Sequence, residues 1–309
     1  MQGAEGNILL GVYRTDQETR AYSWSFHLWI TEYDPRDASS QNWHGTDKYV
    51  HKLNNSNGEI HRYTGSLWDA DDAMYHNKWI MDRNLGAKSD RDLGAEGLYY
   101  EFGRKDPLTL TKTPLYICKY DDNTKSYTYP KTTATSIGYS STRTMHYFIN
   151  YPKPYIYNTG KQIYANNDYA NNLWFDPYWS MEMQGGETKK SFFDPCPPGW
   201  RVPQYKIWEK IKNYSTLVGT GALFSEGYYF YCDNTIGSEN IAYYPGTGSF
   251  ENSNTYTKGY LAVTSVNPYY SGAYYSLGLY TLNPQDNIGL GSYFLLEQAK
   301  GTQVRCVQE

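Results

Sequence analysis

The sequence predicts an α+β fold in which strands dominate, with one or two short helices and long loop insertions. Three observations predict it. Apolar and polar residues alternate in several segments, most clearly in Trp24-Ser25-Phe26-His27-Leu28-Trp29-Ile30. Only one stretch, after Pro203, repeats apolar residues at helical spacing, through Ile207, Trp208 and Ile211. Tyrosine, which suits half-buried strands, supplies 35 of the 309 residues.

The elements follow in order. Residues 8–14 and 20–31 predict a hairpin around the polar turn Thr15-Asp16-Gln17-Glu18-Thr19. Its second strand places Trp24, Phe26, Leu28 and Ile30 on one face and Ser25, His27 and Trp29 on the other. Residues 34–66 are polar and loop-rich, as Asn54-Asn55-Ser56-Asn57-Gly58 shows. A strand is expected around 73–85, ending in Arg83-Asn84-Leu85, and a further ordered segment at 97–102. Residues 105–192 form a long insertion, expected to hold short strands and loops packed by Trp174, Phe175 and Trp179. Three prolines and a glycine around Cys196 then fix a rigid corner that no helix or central strand can contain. The one helix is expected at 203–214, and strands at 227–232, 241–244, 259–265, 272–280 and 302–307. No solenoid period is visible. The whole chain, 1–309, reads as one domain: hairpin 1–31, insertion 105–192, and a helix with C-terminal strands over 193–309.

Net charge is −4 and only 19% of residues are charged, so no nucleic-acid or anionic-membrane partner is expected. Lys189-Lys190 does not grow into a basic cluster. No apolar run approaches the roughly 18–20 residues of a membrane span. Asn7-Ile8-Leu9-Leu10-Gly11-Val12 is too short for the apolar core of a signal peptide, so the chain is expected to begin inside a longer secreted protein. Mean hydropathy is −0.74 despite 35 Tyr, 9 Trp and 10 Phe, which puts much aromatic surface partly in water. Tyrosine offers a rigid ring and a hydroxyl at low entropic cost, the combination that antibody combining loops use; β-propensity is the plainer explanation. Four cysteines (118, 196, 232, 306) include no CxxC pair, against zinc or thioredoxin chemistry. One precedes the helix and one lies in the last strand, which suggests two distant segments stapled together.

Five segments carry a resemblance. Trp79-Ile80-Met81-Asp82-Arg83-Asn84-Leu85-Gly86, Gly97-Leu98-Tyr99-Tyr100-Glu101-Phe102-Gly103-Arg104, Cys196-Pro197-Pro198-Gly199-Trp200-Arg201-Val202-Pro203, Ala273-Tyr274-Tyr275-Ser276-Leu277 and Val304-Arg305-Cys306-Val307 stand in that order. Together they resemble the Fibrobacter-type major paralogous domain, a family similar to C-type-lectin-like and formylglycine-generating-enzyme-like folds. Trp24-Ser25-Phe26-His27-Leu28-Trp29 and Tyr33-Asp34-Pro35 resemble the lead-in of surface- and fimbria-associated members from gut-type Gram-negative bacteria. The resemblance implies a C-type-lectin-like fold, an exported protein at the bacterial cell surface, and, with the positions of the cysteines, a Cys196–Cys306 disulfide. That bond would close a loop of about 110 residues, worth roughly 4–5 kcal/mol in the chain-entropy model. Pairing of Cys118 with Cys232 stays open.

In 273–280, Ala273, Tyr275, Leu277 and Leu279 share one face and Tyr274, Ser276, Gly278 and Tyr280 the other. Polar turns flank it, Asn267-Pro268-Tyr269-Tyr270-Ser271-Gly272 before and Asn283-Pro284-Gln285-Asp286-Asn287 after. The resemblance makes this late region the ligand-binding face, where retroelement-diversified members carry variable Tyr, Asn, Ser and Gly. The candidate binding residues are Tyr269, Tyr270, Tyr274, Ser276, Tyr280, Asn283, Gln285, Asp286, Asn287 and Tyr293. An ordinary hairpin with solvated tyrosines is the plain alternative.

No cofactor is expected. Calcium would use hard oxygens, but Asn283-Pro284-Gln285-Asp286 only approximates the lectin sugar-site motif and no Trp-Asn-Asp follows. Asp69-Ala70-Asp71-Asp72 and Asp121-Asp122-Asn123 lack EF-hand spacing and read better as solvated turns. The six histidines (27, 44, 51, 61, 76, 146) contain no HExxH, and no GxSxG, P-loop or GxGxxG occurs. The first expectation is therefore a non-enzymatic, surface-exposed adhesin binding a protein or glycan on a host or neighbouring cell. A structural fimbrial tip or assembly subunit is the alternative, with the hairpin edge joining a partner strand and residues 1–20 dispensable for folding. A glycan-acting enzyme with paired carboxylates is the third.

Overall fold

The structure is a computed structural model of the whole chain. It describes residues 5–12, 23–31, 50–52, 79–88, 96–101, 103–108, 115–121, 123–128, 131–132, 136–137, 150–151, 155–156, 174, 190–202, 215–216, 227–231, 241–245, 250–252, 255–256, 265–266, 275–281, 290–297 and 301–309. Among them regular structure is almost entirely strand. The expected helix at 203–214 lies outside the described residues.

In chain order the strands are β1 (Gly6–Val12), β2 (Trp24–Ile30), β3 (Val50–Lys52), β4 (Trp79–Met81), β5 (Tyr99–Tyr100), β6 (Leu115–Asp121), β7 (Ser126–Thr128), β8 (Lys131–Thr132), β9 (Ser136–Ile137), β10 (Tyr155–Ile156) and β11 (Trp200–Arg201). Then come β12 (Ser215–Thr216), β13 (Gly227–Tyr231), β14 (Ile241–Pro245), β15 (Phe250–Asn252), β16 (Thr255–Tyr256), β17 (Ser265–Val266), β18 (Tyr275–Thr281), β19 (Leu290–Glu297), β20 (Thr302–Gln303) and β21 (Val307–Gln308).

The hairpin forms as its alternation predicts. β1 and β2 pair antiparallel from Gly6↔Ile30 to Val12↔Trp24, and β1 pairs parallel with β6 on its other side. The insertion contributes β6 and β7, turning through Asn123–Lys125 with Lys125 at φ 49, and β8 to β10 after them. Its Trp174 is fully buried; Phe175 and Trp179 lie outside the described residues.

The C-terminal segment is the spine of the molecule. The sequence predicts one strand over 302–307; the structure divides it. β20 pairs with β5 through Thr302↔Tyr100 and Gln303↔Tyr99. The Val304 carbonyl accepts Leu85 N–H at 2.8 Å and the Cys306 carbonyl accepts Met81 N–H at 3.0 Å. β21 then runs between β11 and β4, through Arg201↔Val307 and Val307↔Ile80. Residues 301–307 are all buried as a result. A strand that meets three successive neighbours cannot keep one ladder, and this is why it breaks at 304–306.

Backbone geometry demands glycine at 199 and at 86. Pro197-Pro198-Gly199-Trp200 closes a turn, with Trp200 N–H donating to the Pro197 carbonyl at 3.0 Å and Gly199 at φ 80, where side chains are disfavoured. Gly86 has φ 86, and a Cβ there would sit 2.7 Å from Leu98 Cγ. The corner is joined to the spine by the Cys196–Cys306 disulfide, with S–S 2.08 Å and Cα–Cα 5.9 Å across 110 residues of sequence. Cys232 lies outside the described residues, and of Cys118 only its place in β6 is described.

The late strands are partly as expected. β13 and β14 match 227–232 and 241–244, whereas 259–265 is represented by Ser265 alone, the first residue of β17. β18 pairs with β17 and β19, and the β18–β19 register shifts between Gly278 and Tyr280.

Candidate functional site

Of the candidate ligand residues, Ser276 and Tyr280 lie in β18 and Tyr293 in β19, so pairing of the two strands brings their backbones into one sheet, with Tyr280 opposite Gly291. Tyr269, Tyr270, Tyr274, Asn283, Gln285, Asp286 and Asn287 lie outside the described residues. The acidic cluster 69–72 does as well. Among the described residues no three His, Cys, Asp or Glu side chains gather to hold a metal ion, and no helix is long and apolar enough to cross a membrane.

What the structure does describe is how the hairpin docks, and it docks polar side inward. Ser25 is buried, Asn7, His27 and Trp29 are half-buried, and Val12, Phe26, Leu28 and Ile30 are 42–48% exposed. The inward face is a chain of hydrogen bonds to the 84–108 region. Tyr100 O–H donates to His27 Nδ1 at 3.1 Å, His27 Nε2–H donates to Asn7 Oδ1 at 2.9 Å, and Asn7 Nδ2 donates to the Gly86 carbonyl at 2.9 Å. This assigns His27 the neutral Nε2–H tautomer. Burial, opposed by Asp106, lowers His27 to about 4, and burial holds the Tyr100 hydroxyl well above its ordinary range. Trp29 Nε1–H adds a bond to the Ala87 carbonyl at 3.2 Å.

Beside this chain, Lys105 Nζ donates to the Ser25 carbonyl and to Asp106 Oδ2, each at 2.7 Å, and to Ser25 Oγ. Ser25 Oγ–H itself donates to Asp106 Oδ2 at 2.7 Å. A serine next to a lysine invites comparison with a nucleophile and its base. Here the hydroxyl proton is committed to a carboxylate, Ser25 is 1% exposed, and Asp106 keeps the ammonium paired, so the trio joins the hairpin to the body. The Lys105 ammonium also lies 4.6 Å from the Trp24 ring centroid, and Trp24 meets Phe193 with centroids 6.4 Å apart. These bonds revise the expectation that residues 1–20 are dispensable for folding: deletion removes Asn7 and the buried Leu9.

The second arrangement is the proline corner. Asp194 is buried and accepts the N–H groups of Cys196 and Val202, each at 2.8 Å. Lys190 Nζ donates to the carbonyls of Pro197 at 2.9 Å and Trp200 at 2.6 Å, and to that of Cys196. Burial raises Asp194 to about 7 against the pull of Lys190, the two N–H donors and Arg201. Burial likewise lowers Lys190. In the sequence Lys190 stands as half of an isolated basic pair. The signal of its role is the spacing to Asp194, four residues on and directly before the proline-rich run.

The body between the two is held by further buried polar bonds. Arg305 Nε donates to Asn84 Oδ1 at 3.0 Å, Asn84 donates to Gln303, and Arg104 Nη1 donates to Glu101 Oε2 at 2.6 Å. The chain matches no protein-family model, no curated protein and no solved structure.

Proposed function

We propose that the chain is a non-enzymatic, exported interaction module with a C-type-lectin-like scaffold, which presents an aromatic, hydrogen-bonding surface to a protein or glycan ligand on a host or neighbouring cell. One observation carries the reading. Four of the five segments that bear the family resemblance meet around the spine: 79–86 and 97–104 bond to 302–307, and 196–202 is joined to it by the disulfide and by β11–β21 pairing. The buried disulfide fits an oxidising compartment, which favours export. The composition supports a ligand surface, since 35 tyrosines in a chain of low mean hydropathy favour rings in contact with water. The test is binding of the oxidised chain to glycan and host-protein arrays, with Tyr269, Tyr270 and Tyr274 changed to Ala. A bound ligand whose signal falls by tenfold or more in the variants, about 1.4 kcal/mol, supports the reading. An array without binding, or binding the substitutions leave intact, removes it.

The assembly-subunit reading is favoured by a different observation, the outward apolar face of the hairpin at Val12, Phe26, Leu28 and Ile30. Phe26→Ser with Leu28→Ser should then block incorporation into a surface filament while the isolated chain stays folded.

A further inference from the structure

We propose that Lys190 and Asp194 form a clasp that sets Cys196 in place for its disulfide before the bond exists, which makes Lys190 a positioning residue for oxidative closure of the molecule. An ammonium has three N–H donors, and those of Lys190 meet three carbonyls, of Cys196, Pro197 and Trp200. Asp194 Oδ1 lies 3.9 Å from Nζ, and the two Asp194 oxygens accept the N–H groups of Cys196 and Val202. Both peptide groups of Cys196 are therefore held by this one pair, its N–H by the carboxylate and its C=O by the ammonium. Cys306 is held separately, by Met81 N–H on its own carbonyl and by Val307 in register between Arg201 and Ile80. The thiols are thus placed by backbone bonds that owe nothing to sulfur.

The chemistry is ordinary exchange with a low-molecular-weight disulfide such as oxidised glutathione. One cysteine thiolate attacks it and expels one glutathione thiolate. The other cysteine thiolate then attacks the mixed disulfide and expels the second. Two electrons pass to glutathione, and the two cysteine protons pass to solvent. The clasp takes no part in these bonds; it raises the encounter of one protein sulfur with the other.

The experiment equilibrates the full chain in glutathione buffers and quantifies the Cys196–Cys306 peptide by alkylation and mass mapping. Lys190→Met should shift the equilibrium toward the dithiol by about tenfold or more, and the exposed-site control Lys125→Met should not shift it. A side chain that only stabilised the fold would lower both redox forms alike and leave the equilibrium in place. An unchanged equilibrium in Lys190→Met overturns the proposal. Should that variant fail to fold, the chain with Cys196→Ala and Cys306→Ala decides. Protected amides at position 196 and at Val202 support a clasp that precedes the bond, and rapid exchange or loss of folding there overturns it.

Discussion

The hairpin joint and the proline corner are built from the same parts and respond oppositely to protons. Each buries a lysine beside an aspartate, Lys105–Asp106 at 2.7 Å and Lys190–Asp194 at 3.9 Å, and each spends the ammonium on backbone carbonyls. Within the ordinary pH range, the joint holds a base, His27, lowered to about 4, and the corner an acid, Asp194, raised to about 7. Burial favours the neutral form of both. One physical cause, desolvation, thus predicts opposite pH dependence in the two regions, because sign follows the charge of the ionised form. Trp174 connects them: its Nε1–H donates to the Arg104 carbonyl at 3.1 Å beside the joint, and its own carbonyl accepts Ser191 N–H at 3.1 Å in the corner.

The largest effect should come from breaking the corner. Replacing Cys196 and Cys306 by Ala releases a 110-residue loop and should cost about 4–5 kcal/mol by the chain-entropy relation. Urea unfolding of the variant against the oxidised chain measures it. Trp174→Ala comes next, at about 3–5 kcal/mol for a fully buried indole. Because Trp174 touches both regions, it should speed hydrogen exchange in both, whereas a change within one should leave the other protected.

The pH comparison is sharper though smaller. His27 falls from 6.5 to about 4 on folding, so the unfolded chain takes up its proton first. The stability it contributes is present above pH 6.5 and is lost as pH falls through 4. Asp194 rises from 3.8 to about 7, so its contribution is present below 3.8 and is lost as pH rises through 7. Between pH 4 and 6.5 the two oppose each other. Exchange at Ser23 and Val202, corrected for intrinsic rates, should show the joint loosening on acidification and the corner tightening. His27→Gln should flatten the first trend and Asp194→Asn the second; parallel trends would end the comparison.

How much of this was legible in the sequence depended on range. The hairpin was readable from alternation alone, but not which face turns inward. Asn7, Ser25 and His27 are inward because Gly86, Tyr100 and Asp106 wait for them, and those partners lie some 70–80 residues away. The Cys196–Cys306 pairing was readable only from chain position together with the family resemblance; proline and glycine mark the corner, not the partner. The spine was half readable: 302–307 looked like one strand, and only its three successive neighbours explain the break. Lys190 was missed because a lysine that bonds carbonyls resembles a solvated one until the turn that gathers those carbonyls is known. Of the tyrosine-rich face, alternation was readable in 273–280, and the register shift at Gly278 depends on β19.

The smallest effect separates the two faces of the hairpin. Leu28→Ala, on a side chain 42% exposed, should change stability by about 0.5 kcal/mol or less. Leu9→Ala, at 1% exposure on the inward face, should cost about 2–5 kcal/mol. Equal costs at Leu9 and Leu28 would mean the hairpin docks by its other side.

The central claim, that a proline corner and the last strand are tied into one spine, is tested most directly by peptide mapping of the unreduced chain. The account predicts a single linked species joining the peptide with Cys196 to the peptide with Cys306. Free thiols at both positions, or either cysteine joined to Cys118 or Cys232, would contradict it.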